Sequence, residues 1–174
     1  MRKLAYAAIA ATMAVTLAGC AGAQSADQEE TLTGAVGDRI EMTTTAGDIA
    51  ITVDGFETNQ AITDEFVELG HIEDGKSVGL LKMTVENISF DAQNGGYVPL
   101  SDIVYVKDES GVTMNVLDRG KGASGEYEYA VWGQYKHPEG ATMRVAMPLV
   151  TSPSTVEVTA VVGGREVPVP VEAA

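Results

Sequence analysis

Leu80-Leu81-Lys82-Met83-Thr84-Val85-Glu86-Asn87 is the stretch that decides how this chain folds. Leu81, Met83 and Val85 alternate with Lys82, Thr84 and Glu86, so a two-residue repeat places one face in a core and the other in water. The same period recurs on both sides of it. Ile49, Ile51 and Val53 alternate with Ala50 and Thr52, and Met143, Val145 and Met147 with Arg144 and Ala146. Val156, Val158, Ala160 and Val162 alternate with Glu157, Thr159 and Val161. Ile103 to Val106 is β-branched and aromatic on both faces, which predicts a more buried strand.

Turn-forming residues separate these runs: Asp54-Gly55, Asp74-Gly75, Asn94-Gly95-Gly96, Ser110-Gly111, Pro138-Glu139-Gly140 and Gly163-Gly164. The last of these predicts a tight hairpin into Val167, Val169 and Val171, which alternate with Pro168 and Pro170. Proline donates no ladder hydrogen bond, so this run reads as an edge strand guarded against further pairing. Ile62 to Leu69 alone has a helical pattern, with Ile62, Phe66 and Leu69 near one face. Seven to nine strands with frequent turns and no long helix predict an all-β fold, a β-sandwich that is immunoglobulin-like in the broad sense.

The first 19 residues read as something other than fold. Arg2 and Lys3 precede an uncharged, mostly apolar run from Leu4 to Thr16, and Leu17-Ala18-Gly19-Cys20 closes it with small residues. That order is a secretory signal, too short for a comfortable membrane span. Leu17-Ala18-Gly19-Cys20 resembles the lipobox of bacterial lipoproteins. The resemblance implies diacylglycerol on the Cys20 sulfur, cleavage after Gly19, and a further acyl chain such as palmitate on the new amino terminus. Stable anchoring needs two or more acyl chains, which a diacylglyceryl group supplies. An ordinary cleavage after Ala23, where Ala21-Gly22-Ala23 also fits a small-x-small site, is the plainer alternative. The three regions expected are thus a signal over 1–19, a lipidated cysteine with an acidic tether over 20–33, and one domain over 34–174.

Charge narrows the partners. Without Arg2 and Lys3 the mature chain has nine basic residues against 25 acidic ones, a net charge of −16. Such a surface repels phosphate backbones and anionic head groups, which argues against nucleic acid and leaves lipid as the means of membrane attachment. Cys20 is the sole cysteine, so the domain has no internal disulfide and depends on its apolar core. Ala21 to Thr33 is polar and acidic and reads as a tether.

From Val36 to Val171 the layout resembles the immunoglobulin-like (telokin-like) domain of bacterial lipoproteins, a family without an assigned function. The matching features are Val36-Gly37-Asp38 before the Ile49-Ile51-Val53 strand, the Leu80 to Asn87 strand ending in Val-x-Asn, and Pro138-Glu139-Gly140 leading into Met143 to Pro148. The resemblance implies fold and location; it brings no catalytic residues. The Tyr127 to Tyr135 stretch and the Ile62 to Asp74 insertion depart from it.

Candidate chemistry is sparse. His71 and His137 are the two histidines, and His71 with Glu73 and Asp74 is the best metal cluster, set against the reading of solvated turn residues. Calcium is the stronger metal candidate, through loop carboxylates among Asp48, Asp54, Asp74, Asp91, Asp102, Asp108 and Asp118, although no dense D-x-D-x-D loop exists. No G-x-S-x-G elbow is present, and Asp118-Arg119-Gly120-Lys121-Gly122 lacks the closing Lys-Ser/Thr of a phosphate loop. Tyr127, Tyr129, Trp132 and Tyr135 bring four of the nine mature aromatics into nine residues, flanked by Glu126 and Glu128. Aromatics with polar tips suit protein and glycan partners, while core packing and a cross-strand pair are the alternative. The expectation is therefore a non-enzymatic, lipid-anchored binding module with no cofactor, its partner an envelope or extracellular protein or glycan. The alternatives are an envelope enzyme or enzyme inhibitor built on scattered carboxylates, and a structural spacer.

Overall fold

The computed structural model describes residues 32–44, 47–89, 100–117, 123–129 and 139–173. In chain order these form β1 (Leu32–Thr33), β2 (Arg39–Thr44), β3 (Gly47–Thr58), α1 (Gln60–Glu68), β4 (Ser77–Asn87) and α2 (Leu100–Ile103). There follow β5 (Val104–Lys107), β6 (Ala123–Ser124), β7 (Tyr127–Tyr129), β8 (Thr142–Thr151), β9 (Glu157–Val162) and β10 (Arg165–Ala173). The strands join into one curled sheet in the order β5-β9-β10-β3-β4-β8-β7-β6, with β1 added to β10 and β2 to β3. The fold is all-β apart from the two helices.

Strand β4 is the centre, as its alternation predicts. It pairs antiparallel with β3 on one side and β8 on the other, setting Leu81 between Phe56 and Met147. Leu81 and Met83 are fully buried and Val85 nearly so, among Ile49, Ile51, Val53, Val145 and Met147. Val104, Val106, Val158, Ala160, Val162, Val167 and Val169 complete the same cluster. Strands from β5, at one end of the sheet order, through to β8 thus share one core. Each such side chain contributes about 1.5–3 kcal/mol on burial, enough to hold a fold that has no internal cross-link.

Several elements differ from the pattern reading. Asp54-Gly55 is no turn between strands. It lies inside β3, where the register against β4 slips at a bulge and the strand continues to Thr58. Tyr105 is 41% exposed between buried Val104 and Val106, so β5 is buried on one face only. Leu69 and Val156 stand 60% and 70% exposed, one beyond the last turn of α1 and the other just before β9. Helix α1 itself forms where expected. Asn59 caps it by accepting from the Ile62 amide at 3.1 Å, and Ile62 and Phe66 are its buried side chains with Thr63.

Strand β10 corrects the edge-strand expectation. It has β9 on one side, and on the other β1 at its start and β3 at its end. The Val171 amide donates to Val156 O at 2.9 Å, so alternate residues 167, 169 and 171 aim their amides at β9. Pro168 and Pro170 therefore face the interval between β1 and β3, where no ladder partner needs a donor. The prolines mark the place at which the strand changes neighbours. Its connection to β9 is the predicted two-residue turn, with Gly163 and Gly164 at φ 55° and 80°, the paired positive angles of a type I′ hairpin.

A second junction brings the sheet round on itself. Thr113 bridges to Lys107 of β5, and Val116 bridges to Leu149 of β8. Val150 and Leu117 add backbone hydrogen bonds across the same seam, to Asn115 O and Pro148 O respectively. Leu32 and Thr33, the last residues of the expected tether, are strand β1, and the Gly34 amide continues the pairing by donating to Glu166 O at 2.9 Å.

Candidate functional site

The aromatic strand takes its place through β8. Gly125, at φ 61°, allows the turn from β6 into β7, and β7 then runs parallel to β8 with Glu128 opposite Val145 and Tyr129 opposite Ala146. Tyr127 is half-buried on the outer face of the sheet. It packs against a second apolar cluster made by Ile62, Phe66, Ile72, Val78, Leu80 and Ala146. Helix α1 thus gives β4 and β8 apolar contacts on the face away from the main core.

Polar groups close in around that ring. Lys82 Nζ lies 5.2 Å from its centroid and Arg144 Cζ 5.9 Å, within cation–π range. Lys82 also pairs with Glu57 at 2.6 Å, and Arg144 pairs with Glu126. Asp54, at the β3 bulge, accepts from Thr84 Oγ1 at 2.8 Å and from the Tyr127 hydroxyl. Burial pushes the Tyr127 hydroxyl above its ordinary value. The Asp54 charge, its hydrogen bond with Tyr127 and the Glu57 charge push the same way. These effects all favour the protonated, hydrogen-bond-donating form of the hydroxyl. The bulge explains how Asp54 reaches this place: the additional residue sets both Asp54 and Gly55 against Lys82.

This cluster contains one of the four aromatics singled out by sequence with its side chain described. Tyr129 is placed by its backbone in β7, while Trp132, Tyr135 and Cys20 lie outside the described residues. Glu57, Lys82 and Arg144 were missed, and Asp54 was weighed as a calcium ligand and a turn residue, not as a partner of Tyr127. Lys82 and Arg144 appear in the alternating strands merely as solvent-side residues, and nothing local says that their strands are neighbours.

The carboxylates proposed for calcium go to separate tasks. Asp48 accepts from Ser89 Oγ, and Asp54 serves Thr84 and Tyr127. Asp108 Oδ1 accepts from the Ser110 hydroxyl and amide and from the Val112 amide at 2.6, 2.9 and 3.0 Å. The Ser110 hydroxyl above all, then the Val112 amide, hold the Asp108 carboxyl below its ordinary range. Asp91, Asp118, His137 and the Asp118–Gly122 loop lie outside the described residues. Among the described residues no three His, Cys, Asp or Glu side chains converge to hold a metal ion.

His71 tilts toward Phe66 at 5.7 Å and lines a groove of about 440 Å³ with Glu73, Lys76, Asp108, Val112 and Thr151. A neighbouring groove of about 470 Å³ runs between α1 and Lys76, with Thr63, Val67 and Pro153 on its walls. Both are open and mixed in polarity, and both sit at the end of the fold where β3 runs into α1. Among the described residues no helix is long and apolar enough to cross a membrane. No family model, curated protein or solved structure matches this chain.

Proposed function

We propose that this chain is a lipid-anchored, extracytoplasmic binding module without enzymatic chemistry. In this reading an immunoglobulin-like sandwich stands on the outward-facing side of a bacterial membrane, tethered by diacylglycerol on Cys20. Its partner is an envelope or extracellular protein or glycan. The observation that carries the reading is Leu17-Ala18-Gly19-Cys20, where the sole cysteine falls in register with the small residues that end the apolar run. The sandwich is supported by the shared core, to which β3, β4 and β8 contribute one set of side chains and β5, β9 and β10 another. A scaffold role is supported by what the fold does with its charges. Glu86, Lys107, Asp108 and Tyr127, whose proton affinities are moved, each serve a partner inside the fold: Arg39, Glu166, the Ser110 turn and Asp54.

Intact-mass measurement on protein from the cell envelope tests the anchor. The expected species starts at Cys20 and carries diacylglycerol, and Cys20→Ser abolishes the lipid. A mature protein starting at Gln24 with no lipid would refute it. For the partner surface, Tyr129→Ala with Trp132→Ala should remove captured protein or glycan from detergent-solubilised envelope. An unchanged set of partners with a correctly folded double variant would exclude the aromatic strand.

A further inference from the structure

The point at which the chain leaves the domain defines an orientation. Leu32 and Thr33 run parallel to Arg165 and Glu166, so the chain preceding them emerges beside the Gly163-Gly164 turn. Met42 lies against the same turn, since a Cβ on Gly163 would meet its Cε at 3.2 Å, and the Gly163 amide reaches Ile103 O. Strand β10 then carries the chain to the other end, where Val171 to Ala173 pair with Phe56 to Thr58 and β3 gives way to α1. Both grooves, the Asp108–Val112 turn and exposed Leu69, Val112 and Val156 belong to that far end.

Lengths decide which end meets the bilayer. The 12 residues of β3 give the domain a height of about 40 Å at about 3.3 Å per residue. From Cys20 to Leu32 the chain can reach no more than about 40 Å even when fully stretched. Only a taut chain laid along the whole domain would bring the far end to the membrane.

We propose that the domain stands with its Gly163-Gly164 end toward the lipid surface and holds the α1 and Asp108–Val112 end outward. This rests on the lipid-anchor reading. The experiment uses the full chain, lipidated in cells and reconstituted into vesicles of phosphatidylglycerol and phosphatidylethanolamine with an acceptor dye on the head groups. With Cys20 lipidated, a cysteine introduced by Arg165→Cys or by Asp74→Cys is the sole thiol for a donor dye. The expected result is energy transfer at least twofold greater from position 165 than from position 74. Equal or reversed transfer from a vesicle-bound, lipidated protein would overturn the orientation alone. A chain that carries no lipid and does not sediment with vesicles would overturn the anchor and the orientation together.

Discussion

Replacing Gly79 with alanine would place a Cβ 2.1 Å from Cζ and 2.4 Å from Cε1 of the Phe56 ring. Gly79 lies in β4 opposite Thr58 on one side and Leu149 on the other, so backbone cannot give way on either flank. Phe56 is 1% exposed and belongs to the main core, so its ring has no free volume to turn into. Two effects compete. Alanine gains about 0.5–1 kcal/mol over glycine in strand entropy, while overpacking a rigid core costs about 1–3 kcal/mol. Contacts near 2 Å favour the upper part of that range, so the variant should be destabilised by about 1–2 kcal/mol. The assay is urea denaturation of the mature chain carrying Cys20→Ser. Phe56→Leu removes the atoms that collide, and in that background Gly79→Ala should be neutral or stabilising. The coupling energy across the cycle should then be about 1–3 kcal/mol. An unchanged or raised midpoint for Gly79→Ala in the native background would refute the packing argument.

Thr63→Val keeps the shape of a buried side chain but removes a hydroxyl that donates to Asn59 O and accepts from the Val78 amide, each at 2.9 Å. It should cost about 1–3 kcal/mol and speed hydrogen exchange at Val78, whereas Thr63→Ser should retain the protection. Asp108, depressed below its ordinary 3.8, should stabilise its turn above that pH and lose the effect as pH falls through the lower folded value. Ser110 and Val112 amide shifts followed below pH 4 would show it, and Asp108→Asn should abolish the step. Lys107 has the opposite sign. Its pairing with Glu166 raises it above 10.5, so that contribution is complete below this pH and lost as pH rises through the higher folded value. Amide shifts near Glu166 at alkaline pH, with Glu166→Gln as control, check it. In an ultraviolet titration Tyr127 should ionise above the ordinary 10.0, and Tyr127→Phe should delete that late step; a native titration with no such step would count against the Asp54 contact.

How much of the fold was legible follows from the range of each interaction. Alternation along β4, β8 and β9 is local, because every second side chain must face the same way, and these strands stand where the period put them. The Gly163-Gly164 hairpin was legible for the same reason: two successive positive φ angles favour glycine at both positions. Asp54-Gly55 was misread because a bulge and a turn draw on the same residues, and which one forms depends on whether the partner strand continues. Here β4 continues, through Leu80 and Gly79, and β3 follows it to Thr58. Pro168 and Pro170 were rightly seen to avoid a ladder, but the neighbour they avoid is an interval between β1 and β3 and not open solvent.

The sequence by itself determined the all-β class, the central strand at Leu81 to Val85, the absence of any disulfide, and the register of Cys20 with its apolar run. All of these depend on composition or on neighbours within a few residues. The tertiary structure alone decided that β10 links the strands on one flank while Thr113 to Leu117 close the other. It also brought Asp54, Glu57, Lys82 and Arg144 around Tyr127, and set both grooves at the end opposite the point where the chain emerges. Those arrangements join residues tens of positions apart, and their pairing follows from which strands share an edge, a property that no local pattern carries.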